Sequence, residues 1–376
     1  MNGLSKNLDF NISLQVISNH IARRVGEDVQ KRINALKIGQ KMQDLPEELW
    51  HESFKFYVKH DPNRQGGPNL RMIRLDPENP SLTVTGYIFN KFVHPYQDRF
   101  ITVREAARLQ GLPDDLQLQG TLTSSQLQVG NAVPVPLAKA VFQQLVKQAN
   151  LLGFENRSLK ALSLFSGAGG MDIGADLTQG IETKVAVDNW GDACATLKGY
   201  FGEHIQVIEK DISTIQDPLS FWQNVSGEIN KPDIIFGGPP CQTFSQAGKQ
   251  RGLQDQRGGM IYEFFRFIEC LHPAFFVMEN VSNLKGLGGG KLYQEIWINM
   301  INLGYNVSSG VLLAADFGTP QLRKRLFFIG CRKDIGIIDL PLPTHSPKFE
   351  LFGLLPYLTV QEAFANLPDA EFSGCK

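Results

Sequence analysis

Residues Ala161–Gly180 read ALSLFSGAGGMDIGADLTQG: an apolar run ending at Phe165, a turn carrying Gly167, Gly169 and Gly170, and then a helical segment. Glycine is required in such a turn because the chain reverses tightly and a ligand must approach the backbone closely. The same alternation continues downstream. TKVAV, IQVIE, DIIFG, FFVME and RLFFIG are short runs rich in Val, Ile and Phe, separated by helical or loop segments. Apolar runs of that length, unbroken by polar alternation, predict a mostly parallel sheet covered on both faces, and so an α/β fold.

The turn has the pattern FxGxG rather than GxGxxG, and it lacks the Lys-Ser/Thr of a phosphate loop. An adenosine cofactor without a pyrophosphate fits it better than a dinucleotide. The next strand ends in Asp188, an acid placed to accept both hydroxyls of a ribose. The third delivers Asp211, placed to bond an adenine amino group. Taken singly, Asp188 could cap a strand end and Asp211 could cap a helix before Ser213. Their register along consecutive strands favours a nucleoside site.

The chemistry is expected one strand further on. In PDIIFGGPPCQTFSQAGKQRGLQDQRGG a strand ends at Phe236, and Gly237-Gly238-Pro239-Pro240 presents Cys241 at the carboxyl edge of the sheet, where ligands of open α/β sheets bind. Two prolines stiffen that backbone. The polar stretch from Gln242 to Gly259 is long for a connection and reads as a functional loop. The next strand, AFFVMENVSNL, ends in Glu279-Asn280-Val281, bringing a carboxyl to the same edge. In GTPQLRKRLFFIG, period-two alternation sends Gln321, Arg323 and Arg325 to one side and Leu322 and Lys324 to the other. Two guanidiniums on one face suit a carboxylate, a phosphate or a carbonyl oxygen; a charged edge strand is the plainer alternative.

Outside this core the text is less directive. Leu14, Ile17, Ile21, Val25, Val29, Ile33 and Leu36 recur in steps of three and four, predicting one or two amphipathic helices. Lys55–Arg74 carries five Lys/Arg against one Asp, with Phe56, Tyr57 and His60 interleaved, and is either a solvated loop or a nucleic-acid face. Residues 102–112 predict a short helix capped by Thr102, and QVGNAVPVPLA predicts a turn opening a helix near Pro136. The chain has 376 residues, 42% hydrophobic and 20% charged, with a formal charge of −1, so any basic footprint is local. The five cysteines are widely separated, with no CxxC pair, which argues against a disulfide framework or a zinc cluster and for a reducing compartment. No membrane-spanning run and no secretory signal are evident, so a cytoplasmic location without membrane or metal is expected.

These residues resemble the C5-cytosine DNA methyltransferases. LFSGAGG is similar to that family's motif I, GGPPCQTFS to motif IV, MENV to motif VI, QLRKR to motif VIII, TVREAARLQGLPD to motif IX and QVGNAVPVPLA to motif X. The resemblance covers most of residues 81–330. It implies a Rossmann-like S-adenosylmethionine-dependent methyltransferase fold, S-adenosyl-L-methionine as cofactor, double-stranded DNA as substrate and a flipped-out target base. Position by position, it makes Cys241 the nucleophile toward cytosine C6 and Glu279 the acid at N3. Arg325 and Arg323 would hold base and carboxylate. Phe165, Gly167, Gly169, Asp188, Asp211, Pro240, Met260, Asn131 and Val133 would line the cofactor pocket.

The motif order is rotated, with IX and X before I to VIII, as in a circular permutation cut within the target-recognition region. The expected division is a catalytic domain over 96–330 and a small recognition region over 1–95, completed by 331–376. A restriction-modification or orphan DNA methyltransferase is the reading that results, any cognate endonuclease being a genetic partner only and any nucleoid association following from DNA binding. The alternatives are a tRNA methyltransferase of the same fold, a catalytic subunit requiring a second subunit for recognition, and a non-enzymatic DNA-binding protein.

Overall fold

The computed structural model describes residues 17–52, 54–56, 72–86, 91–240, 259–347 and 353–373. They fall into two compact units: one of Met1–Asn131, Thr319–Leu322 and Pro356–Lys376, the other of Ala132–Gly318 and Arg323–Leu355. The helices Val103–Leu109 and Leu122–Asn131, placed by sequence in a domain beginning at residue 96, belong to the first unit.

The second unit is built on a seven-stranded sheet. Its strands in chain order are β1 (Leu159–Leu164), β2 (Ile181–Asp188), β3 (Gln206–Glu209), β4 (Ile234–Gly237), β5 (Phe275–Val281), β6 (Tyr305–Leu313) and β7 (Lys324–Arg332). Across the sheet they run β3-β2-β1-β4-β5-β7-β6. The pairs β3-β2, β2-β1, β1-β4 and β4-β5 are parallel, and β7 is antiparallel to both β5 and β6. This is an α/β fold with a mostly parallel sheet. Because β7 is internal, RLFFIG is not the edge strand that its charges would allow.

Period-two alternation feeds two cores. On one face Ala161, Phe236, Phe275, Phe327 and Ile329 pack with Leu137, Val141, Phe142 and Leu145 of helix α1 (Val135–Ala149). On the other, Leu162, Val185, Ile235, Phe276, Met278, Leu326 and Phe328 pack with Trp222 and with Phe264, Phe267 and Ile268. Both faces are thus covered, which is why these strands read as continuous apolar runs. Helix α2 (Gly170–Asp176) follows β1, α3 (Gly191–Phe201) follows β2, and α4 (Pro218–Ser226) starts behind an Asp217 cap that accepts from the Leu219 and Ser220 amides. Helix α5 (Gly259–Leu271) precedes β5 and α6 (Lys291–Asn302) precedes β6. The strand order reverses between β1 and β4, so the crevice outside their carboxyl ends is the natural ligand site.

The first unit is largely irregular around a core of Ile33, Leu36, Met42, Leu45, Phe54, Met72, Val93 and Phe100. The helix expected over Ile12–Ile38 is shorter among the described residues: it runs Glu27–Ala35 behind Gly26. Ile21–Ala22 instead pairs in parallel with Glu371–Phe372, a partner that local periodicity cannot reveal. Helix Val103–Leu109 has the expected cap. Thr102 accepts from the Glu105 amide while the Glu105 carboxylate accepts from the Thr102 amide, a capping box.

The closest approach inside the sheet is at Gly330 on β7, where a Cβ would lie 1.9 Å from Cε1 of the Phe276 ring. Gly330→Ala is therefore expected to destabilise the protein by about 2 kcal/mol or more through overpacking, read as a lower midpoint in denaturant unfolding.

Candidate active site

The site begins with backbone geometry at the carboxyl end of β1. Phe165 has φ 56°, Gly167 54° and Gly169 83°, all in the left-handed region. For Phe165 that conformation costs about 1–2 kcal/mol, and strain of this kind is held where the fold has a use for it. A Cβ at Gly167 would project into open space, the shape of a cradle that a ligand can fill. At Gly169 it would meet Leu197 Cδ2 at 2.3 Å, and at Gly170 the Val133 carbonyl oxygen at 2.2 Å. The Val133–Pro134 turn is thereby brought against the glycine turn, with 36 residues between Val133 and Gly170. Asn131 ends helix Leu122–Asn131 just before it.

Asp188 at the end of β2 holds the same turn. Its Oδ2 accepts from the Gly167 amide and its Oδ1 from the Trp190 amide, each at 2.8 Å. Burial raises its pKa, and backbone hydrogen bonds from Gly167, Trp190 and Asn189 partly offset the rise. Each carboxylate oxygen keeps acceptor capacity for a diol. Asp211 lies after β3, where it caps the short helix Ile212–Thr214, accepting from the Ser213 amide at 2.9 Å and the Ser213 hydroxyl at 2.7 Å. Phe165 packs on the core cluster that includes Ile261, the neighbour of Met260 in the first turn of α5. These residues fit a nucleoside-bearing cofactor: a strained glycine cradle, an acid at the second strand end and an apolar wall.

On the other side of the crevice, β4 ends in the Gly237–Pro240 turn. A Cβ at Gly237 would lie 2.0 Å from the Leu164 carbonyl oxygen, and one at Gly238 would lie 2.9 Å from Glu279 Oε2. Glycine is thus required for the turn to nestle between β1 and the Glu279 carboxyl. Pro239 is buried and Pro240 exposed. Cys241 and the stretch Gln242–Gly258 lie outside the described residues, as does most of the basic Lys55–Arg74 segment.

Glu279 on β5 is 8% exposed, and its Oε1 pairs with Arg325 Nε at 2.8 Å. Burial pushes its pKa up, while Arg325 and Arg323 pull it down, leaving it above the ordinary value. The shift favours the proton-bearing form of the acid relative to an exposed glutamate. Arg323 is buried, and burial with Arg325 repulsion lowers its pKa to about 9 against the opposing pull of Glu279. The alternation expected for this strand holds: Arg323 and Arg325 turn inward and Lys324 outward. Gln321 serves the first unit, where it donates to the Leu109 carbonyl and accepts from the Val84 amide.

Two residues escaped the sequence reading. Asn280 Nδ2 donates to the Pro239 carbonyl at 3.0 Å, tying ENV to the turn before Cys241; its place beside Glu279 at a strand end was the available signal. Asp172 on α2 is wholly buried, and neither carboxyl oxygen finds a hydrogen bond of ordinary geometry. Burial raises its pKa to about 7; the neighbouring Ser163 hydroxyl and its own backbone amide offset part of the rise, and Asp188 adds to it. Periodicity cannot distinguish such an acid from a solvated helix position.

The chain matches the C-5 cytosine-specific DNA methylase family over residues 2–147 and 159–370. It belongs to that family. It is 41% identical over 229 residues to Type II methyltransferase M.AquIA of Picosynechococcus sp., a match covering 56% of this chain and 90% of the relative. It is also 41% identical over 215 residues to M1.HphI of Haemophilus parahaemolyticus, covering 56% of this chain and 53% of that protein. Matches to further Type II methyltransferases, such as M.NgoFVII of Neisseria gonorrhoeae, span about half of their length: 57% in that case. Among solved structures, the Dnmt2 methyltransferase of S. pombe is similar with a TM-score of 0.39 at 20% identity, over 49% of this chain and 52% of that one. Among the described residues, no group of three or more His, Cys, Asp or Glu could hold a metal ion, and no helix is long and apolar enough to cross a membrane.

Asn280→Ala would leave the buried Pro239 carbonyl without its donor, a loss of about 1–3 kcal/mol. Turnover is expected to fall more than tenfold while the dissociation constant of the cofactor, measured by calorimetry, stays within about threefold. Asp172 allows a second check. Its folded pKa of about 7 exceeds the unfolded value near 3.8, so its contribution to stability is complete below about pH 4 and is lost as pH rises through about 7. Asp172→Asn should therefore gain thermal stability relative to the parent between those limits, and unfolding midpoints across that range measure it.

Proposed function

We propose that this chain transfers a methyl group from S-adenosylmethionine to carbon 5 of cytosine in double-stranded DNA, through a covalent bond between Cys241 and C6 of a flipped-out base. The observation that carries this reading is the Glu279 carboxyl, buried beside the turn that leads to Cys241 and held there by Arg325. Cytosine C5 is a poor nucleophile until C6 is attacked. The Cys241 thiolate forms the S–C6 bond, and Glu279, bonded to N3 and the exocyclic amine, gives N3 a proton as the ring becomes an enamine. The cofactor, when bound, supplies a sulfonium-borne methyl that C5 accepts. A base then removes the C5 proton, N3 returns its proton to the Glu279 carboxylate, and the thiolate leaves, restoring the aromatic ring. Arg325 fixes the carboxyl and, with Arg323, keeps the site positive, which favours the thiolate. Asp188 would hold the ribose hydroxyls, Asp211 the adenine amino group, and Phe165, Met260, Pro240, Asn131 and Val133 the remaining surfaces.

The motif order supports a circularly permuted chain. Helix α1 leads into β1 through Asn150–Phe154, with Gly153 and Asn156 at positive φ, so only a short link joins motif X to motif I. The family match is interrupted there, between residues 147 and 159. Target recognition would then come from 1–95 and 331–376, with Lys55–Arg74 positioning phosphates. A restriction-modification or orphan role, a second recognition subunit, and cytoplasmic location with nucleoid association while on DNA belong to the same reading.

The test is transfer of labelled methyl from the purified chain to unmethylated duplex DNA and, separately, to tRNA. Label in DNA is expected, together with a denaturation-resistant complex on 5-fluorocytosine DNA; label confined to tRNA would overturn the substrate. Cys241→Ser should abolish both signals and leave cofactor affinity largely intact. Asp188→Ala should weaken cofactor binding about tenfold or more by removing a charge-assisted contact.

A further inference from the structure

The first unit holds a cavity of about 250 Å³ that the reaction does not use. Its walls come largely from the loop before helix Val103–Leu109 and from residues 361–369, both within that unit. Three aromatic side chains line it: His94, Tyr96 and Phe364. The His94 ring stacks on Phe364, with centroids 5.5 Å apart and planes 15° apart, and Tyr96 meets it edge-on at 6.2 Å. His94 Nδ1 accepts from the Tyr96 and Gln97 amides at 3.2 and 3.1 Å. The ring hydrogen therefore sits on Nε2, which is 3.7 Å from Glu105 Oε1. Burial lowers the His94 pKa to about 4; the upward pull of Glu105 is outweighed, and Arg99, Arg74 and His20 add to the fall. The imidazole is thus neutral near pH 7 and contributes an aromatic face without a charge.

The ionic groups that line the cavity leave a negative charge. Arg99 and Glu105 are buried and paired through two bonds, at 2.9 and 2.6 Å, and Arg99 also donates to Gln97 and to the Phe100 carbonyl. Asp369 is exposed and accepts from Gln97 Nε2 at 2.8 Å through one oxygen, so the other can take a ligand. Tyr96, also exposed, donates its hydroxyl to Gln361 Oε1 at 3.3 Å, which ties its ring to the opposite wall. Aromatic faces carry the negative end of a quadrupole and attract a cation, most strongly where water is partly excluded. A phosphate would meet Asp369 and these faces, while the Arg99 guanidinium is already held by Glu105.

We propose that this cavity binds an aliphatic ammonium group, with its charge on Asp369 and its carbon chain against Tyr96 and Phe364. The source is a free polyamine or a lysine side chain of a partner protein, and the chemistry recognised is the same. The assignment is independent of the methyl-transfer reading, because none of these residues was assigned to the crevice.

Titration calorimetry of the full chain at fixed ionic strength tests this with putrescine, its neutral diacetyl derivative and a blocked Gly-Lys-Gly peptide. Saturable binding of putrescine or of the peptide is expected, with the diacetyl derivative about tenfold weaker or more. Asp369→Asn, which keeps shape and loses charge, and Tyr96→Ala should each weaken binding about fivefold or more, and Tyr96→Phe should stay within about threefold. Both positions are exposed, and unfolding midpoints close to the parent's show that the variants are folded. Saturation by putrescine identifies a free amine as the ligand, and saturation by the peptide alone identifies a protein lysine. Binding of neither, equal affinity for the neutral derivative, or unchanged affinity in Asp369→Asn or Tyr96→Ala overturns the proposal.

Discussion

The contact between Glu279 and Arg325 is the constraint on which the rest of the site depends. A buried ion pair is a poor source of stability, because desolvating both charges offsets much of their attraction. It is retained here where three elements meet. β5 supplies the acid, its antiparallel neighbour β7 supplies the guanidinium, and the Gly238 turn after β4 fits against the carboxyl only because glycine has no side chain. The sheet order makes this possible: inserting β7 antiparallel between β5 and β6 points Arg325 toward the carboxyl end of β5. Asn280, one residue along, holds Pro239 from the other side, so the turn ahead of Cys241 is fixed by two successive residues of one strand.

The opposite half of the crevice follows the same logic with backbone in place of charge. Phe165, Gly167 and Gly169 take left-handed conformations, Gly170 lets the Val133 carbonyl approach, and Asp188 ties the turn to β2. A rigid turn with its acid already oriented reduces the ordering required when a nucleoside binds. Asp172 lies under this turn as a second acid that lacks the first one's donors. Both acids are buried, and desolvation raises the pKa of each.

Much of this was legible in the sequence because it depends on local rules. Glycine spacing marked the turn after β1, strand-end acids marked Asp188 and Glu279, and alternation in QLRKR separated Arg323 and Arg325 from Lys324. The features that escaped depend on distant partners. Ile21 has helical spacing but pairs with Glu371, and Val133 meets Gly170 only after helix α1 and strand β1 fold back on one another. RLFFIG carried edge-like charges yet became internal, because β6 returns to cover it. Asp211 remains the residue with the plainest local role, a helix cap, and its part in adenine binding is a proposal.

The central claim is that one chain carrying this crevice methylates cytosine in DNA. Bisulfite sequencing of the genome of a methylation-deficient bacterial host expressing the chain alone tests it most directly. Protected cytosines confined to one short sequence motif, and absent when Glu279 is replaced by Gln, are the predicted result. Uniform conversion at every cytosine, with soluble folded protein present, would contradict the claim.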